Sequence, residues 1–115
     1  MNKDVAGKWV KALRSGEYTQ TANNLQYGAR HCCLGVLCEI GSKEGLSVRT
    51  TDNGDIVGTS LNSQKSIKDW SGMKTKSGGY TEKNGETVYL TDLNDEKEYT
   101  FEQIADVIEK EWENL

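Results

Sequence analysis

Apolar residues occur along this chain in short bursts between longer polar stretches, and their spacing sorts the bursts into helices and strands. Val5, Trp9, Ala12 and Leu13 recur at helical spacing, with Lys3, Lys8 and Lys11 on the other side. The spacing predicts an amphipathic helix over 3–14, ended by Ser15-Gly16. "EYTQT" (17–21) is short and rich in β-favouring residues, and a polar link leads from it to "LQYGARHCC". Gly28 marks a turn or a close backbone approach. Cys33, Leu34, Val36, Leu37 and Ile40 fit a short buried helix stopped by Gly41, although a strand also suits so short a run.

Two Asn-Gly pairs, Asn53-Gly54 and Asn84-Gly85, are flanked by strand-like residues: Val48 and Ile56-Val57 for the first, Tyr80 and Val88-Tyr89 for the second. Asn-Gly accepts positive φ at both turn positions, so each pair predicts a hairpin. "SQKSIKDWSGM" between them reads as a short helix with Ile67 and Trp70 inward, closed by Gly72. Thr100 and Gln103 form a capping-box pattern ahead of "FEQIADVIEKEW". Phe101, Ile104, Ala105, Ile108 and Trp112 make one stripe there, with acids opposite. The expected fold is α+β: a small antiparallel sheet of hairpins packed with three to four short helices, as a single domain over 1–115.

Composition narrows the classes. Only 35% of the 115 residues are hydrophobic, and a small domain with a lean core gains from metal, disulfides or self-association. No apolar run approaches the ~20 residues that cross a bilayer. "MNKDVAGKWV" lacks the apolar block of a signal peptide. Three cysteines, an odd number, point to free thiols in a reducing compartment, so a cytoplasmic location is expected. A formal charge of −4 argues against DNA or RNA as partner, since such binding needs clustered Lys and Arg. The charge is unevenly spread. Residues 1–49 hold seven basic against four acidic side chains, whereas 92–115 hold nine acids and two lysines. A local anion site in the first half is compatible with this.

The stretch "HCCLGVLCE" (31–39) holds every cysteine and the single histidine. Zinc sites space their ligands in distant pairs, whereas His31, Cys32 and Cys33 are consecutive and point in different directions, so no metal is expected. A catalytic thiol needs a lowered pKa and a base in reach, and His31 lies too close in sequence to pair with Cys32 or Cys33. Core packing is the stronger reading for all three thiols. Asp92 and Asp95 in "TDLND" are read first as turn residues, and the C-terminal glutamates as a solvated helix face. No catalytic signature, and no cofactor motif, is present. Arg14-Ser15-Gly16 ends one helix and Gly28-Ala29-Arg30 precedes another, where free amides and a partial positive charge suit phosphate. Tyr18 and Tyr27 offer flat faces for a base.

"WVKALRSGEYTQT" (9–21), "HCCLGVLCE" (31–39), "DLND" (92–95) and "FEQIADVIEKEW" (101–112) resemble a widespread family of small phage and prophage proteins. Residues 43–90 show little of that pattern, and His31 stands where an aromatic such as Phe is expected. The resemblance implies an immune-evasion "sponge" that binds a cyclic nucleotide signal of host defence, such as a cyclic dinucleotide of the cyclic-oligonucleotide-based system (CBASS), without cleaving it. It implies work in the host bacterial cytosol. Arg14, Ser15, Tyr18, Gln20, Arg30 and His31 are the groups available for phosphates and bases, with Asn94 and Asp95 as further ligand contacts. A lean core and a large ligand together lead us to expect a homo-oligomer, dimer or tetramer. Two rivals stand beside this: an acidic protein that docks its C-terminal helix on a host enzyme, and a cysteine-dependent enzyme.

Overall fold

Each long helix begins where the sequence supplies an acceptor for its first free amides. A computed structural model describes residues 1–46 and 67–115. The predicted Asn53-Gly54 hairpin lies outside them. Helix α1 (Lys3–Arg14) is capped by Asn2, whose side chain accepts from the amides of Asp4 and Val5. It buries Val5, Ala6, Trp9 and Leu13, and Ser15 forms its C-cap. The face is rotated slightly from the one expected: Ala6 is buried and Ala12 only partly so.

Strands β1 (Thr19–Gln20), β2 (Gln26–Tyr27) and β3 (Arg30–His31) form one small sheet in the order β1-β3-β2. β3 runs parallel to β1 and antiparallel to β2. Gly28, at φ +60°, turns the chain between β2 and β3. Helix α2 (Cys33–Lys43) follows at once. Gly41 does not stop it. That glycine is interior, and a Cβ there would lie 2.6 Å from the Cδ1 of Ile67. Its absence lets α2 pack closely, and the chain leaves the helix instead through Gly45, at φ +98°.

Residues 67–71 are helical and end at Gly72, as expected; Ile67 is buried and Trp70 half-buried. Strands β4 (Gly79–Thr81) and β5 (Thr87–Tyr89) form the second predicted hairpin. Its turn differs from the two-residue type. Glu82 accepts from the Gly85 amide at 2.9 Å and its own amide donates to Glu86. Gly85 alone takes a positive φ, +86°, so the loop is a three-residue turn closed by a left-handed glycine. "TDLND" is not a turn: Leu90–Asp95 form helix α3. Helix α4 (Phe101–Glu111) carries the complete capping box of Thr100 and Gln103.

The architecture is α+β, a single compact domain whose described strands fall in two small sheets. Its core is the segment picked out by its sulfur content: His31 to Cys38 are eight consecutive buried residues. Val36 and Leu37 are fully enclosed, each worth ~1.5–3 kcal/mol of burial. α2 packs against α1, α3 and β3, and α1 packs against α4. Trp9 locks the first of these contacts, donating its indole N–H to the Cys33 carbonyl at 2.9 Å. No helix among the described residues is long and apolar enough to cross a membrane.

Candidate functional site

Asn94 sits at the end of α3 with its side chain buried. Its Oδ1 accepts from Gln20 Nε2 at 2.8 Å and from the Cys33 amide at 3.2 Å. Its Nδ2 donates to the Thr21 carbonyl at 2.9 Å and to Asp95 Oδ1 at 2.7 Å. Both protons and both lone pairs are used, so Asn94 joins β1, α2 and α3 and has no bonding capacity left for a ligand. Asp95 also accepts from the Asn23 amide at 2.9 Å. It holds Asn23, at φ +67°, in its left-handed conformation.

The start of α2, expected to greet an anion, is closed to one. Cys32 is its N-cap and its Sγ accepts from the Gly35 amide at 3.4 Å, while Asn94 takes the Cys33 amide. Leu25 O approaches Gly35 so closely that a Cβ there would lie 1.7 Å from it. The space beside this glycine is therefore taken by the chain's own backbone. Burial pushes the Cys32 thiol up to about 11 and Cys38 up to about 12, and Cys33 well above the ordinary thiol value. Cys33 Sγ donates to the Leu90 carbonyl. These are packing groups, far from the thiolate that a nucleophile requires. Among the described residues no cluster of His, Cys, Asp and Glu is placed to hold a metal ion.

Arg14 is likewise committed elsewhere. It bonds Asp106 at 2.6 Å and Glu109 at 2.5 Å, with Glu102 at 3.6 Å, and the hydrogen bonds to Asp106 and Glu109 hold its pKa above the usual value. Three carboxylates surround one guanidinium, so this point repels phosphate. The same ion pairs tie the C-terminal helix to α1, so reversing Glu102 or Glu109 would undo an internal contact. Ser15 donates its Oγ to the Ala12 carbonyl and accepts from the Glu17 amide, as a cap. Tyr18 stands edge-on to His31 at 5.3 Å, with Lys43 Nζ 5.8 Å from its ring centroid. His31 is buried, and among the described residues neither ring nitrogen has a hydrogen-bond partner. Its Nε2 lies 3.5 Å from Glu39 Oε1.

Three of the sequence-predicted residues do converge. Gln20, Arg30 and Asn94 line one shallow, open depression of about 380 Å3, together with Thr21, Ala22, Glu98 and Tyr99. Gln20 is held there by a second bond, Nε2 to the Tyr99 carbonyl at 2.7 Å. Arg30 is exposed and, among the described residues, pairs with no carboxylate.

A family model described as a domain of unknown function matches residues 1–112. The chain belongs to the DUF8296 family. No curated protein and no solved structure matches it. In this DUF8296 chain Tyr99, Thr21, Ala22 and Glu98 are the depression-lining residues that sequence reasoning missed. They are isolated polar or small residues without periodicity, and bonds spanning more than seventy positions, from Asn94 to Gln20 and Thr21 and from Gln20 to Tyr99, bring them beside Arg30. The "DLND" block was the one legible signal.

Proposed function

We propose that this chain sequesters a cyclic nucleotide signal without cleaving it, in the host bacterial cytosol, with a ligand phosphate held by Arg30 at the rim of the depression. The observation that carries this is the pairing state of Arg30. In a chain of net charge −4, it is an exposed guanidinium beside a recess, without a carboxylate partner among the described residues, and its planar fork suits bidentate contact with phosphate. Gln20 and Asn94 are fixed beneath it by internal bonds, so the recess is preformed. The burial and raised pKa of the thiols support binding over cysteine chemistry. A recess this shallow covers only part of a dinucleotide, which favours the enclosure of one ligand between copies in a dimer or tetramer.

The test is a thermal-shift screen of cyclic dinucleotides, cyclic trinucleotides and their linear counterparts, followed by chromatography of the ligand released on heating. Binding stabilises the folded state according to ligand concentration over Kd. A cyclic ligand that raises Tm, emerges intact and loses its effect with Arg30→Ala supports the proposal. No shift across the panel, or a cleaved ligand, overturns it.

A further inference from the structure

The register of the first sheet places Thr19, Arg30 and Tyr27 in one row across its three strands, with Arg30 in the middle. All three are exposed, while the alternate row of Gln20, His31 and Gln26 turns inward. Tyr27 is 63% exposed, the most exposed large hydrophobic among the described residues. An aromatic ring left in water beside a guanidinium that pairs with no carboxylate among the described residues, at cross-strand distance, is a pairing that a protein interior does not require. The β2–β3 turn leaves the approach open: a Cβ at Gly28 would meet nothing within 4 Å.

We infer that the Tyr27–Arg30 cross-strand pair is a nucleotide-recognition row, in which Tyr27 stacks on a base while Arg30 holds the adjoining phosphate. This rests on the sequestration reading and assigns the base contact that reading leaves open. The ring's π-face accepts any base, and opposite residues on paired strands lie about 5 Å apart, comparable with the separation of a base from its own phosphate. Tyr27 lies on the side of Arg30 away from β1, so the ligand spans from the recess across the guanidinium to the ring. A long single-stranded nucleic acid would use the same stacking, but nine acids in the last 24 residues oppose a polyanion lying along the surface.

The experiment is calorimetric titration of the wild type, Tyr27→Ala, Tyr27→Phe and Arg30→Ala with cyclic di-AMP, cyclic di-GMP, ribose 5-phosphate and an oligothymidylate. Tyr27 is solvent-exposed, so its variants fold, and unfolding curves matching the wild type document this. Expected are a tenfold or greater loss of cyclic dinucleotide affinity in Tyr27→Ala, the scale of one lost base stack, and retention in Tyr27→Phe. Weak ribose 5-phosphate binding should fall with Arg30→Ala but not with Tyr27→Ala. Wild-type affinity in Tyr27→Ala, with Arg30→Ala impaired, overturns the stacking row and leaves sequestration standing. No cyclic dinucleotide binding by the wild type overturns both. An oligothymidylate that binds more tightly than either dinucleotide replaces the small ligand with a strand.

Discussion

Asn94 makes three of its four side-chain hydrogen bonds to groups distant in sequence, and its loss would strand several of them at once. Asn94→Ala leaves the buried Cys33 amide and the Thr21 carbonyl without partners, each costing about 1–3 kcal/mol. Urea unfolding should therefore show destabilisation of about 2–4 kcal/mol with an unchanged m-value, a large share of an ordinary domain's stability. The thiols give a second prediction at this scale. Their folded pKa values lie above the ordinary thiol value of 9.0, at about 11 for Cys32 and about 12 for Cys38, because burial disfavours the thiolate. The folded state thus keeps protons that the unfolded state has released. Stability from this source is complete below pH ~9 and is lost as pH rises through 11–12. Alkylation by iodoacetamide at pH 8 should be slow at all three cysteines in the native protein and fast in concentrated urea. Asn94 shows what a sequence conceals: its type and motif are visible, but a clasp is defined by partners more than sixty positions away.

Helix α1 was legible to the residue and α4 to within one, because their stripes repeat over three turns and their caps are local. The two-residue strands were not, since two positions carry no period, and the parallel pairing of β1 with β3 depends on where α3 draws them together. Glycines divide in the same way. Gly35 and Gly7 both lie inside helices, yet a Cβ at Gly35 would overlap Leu25 O whereas one at Gly7 would meet nothing within 4 Å. Gly35→Ala should lower Tm sharply by forcing the β1–β2 connection off α2. Gly7→Ala should instead stabilise by about 1 kcal/mol, the helix-propensity difference, and thermal melts of the two variants read opposite signs. Between α1 and α4, Arg14→Ala should lower Tm in low salt, with a smaller deficit in high salt, because the three carboxylates and the guanidinium are partly exposed.

For the molecule as a whole, a single packed segment organises nearly everything. α2 touches the N-terminal helix, the first sheet and α3, so the described elements share one centre. Unfolding by heat and by denaturant should coincide across far-UV circular dichroism and intrinsic fluorescence, as expected of a cooperative domain this size. A lag between the two probes would show that α1 or α4 separates first. Of the tryptophans, Trp9 alone is fully enclosed, while Trp70 and Trp112 are half-buried. The indole bonded to the Cys33 carbonyl is consequently a built-in optical gauge. With Trp70 and Trp112 replaced by Phe, the emission wavelength would report directly whether the first helix is seated on the centre of the protein, with no attached dye.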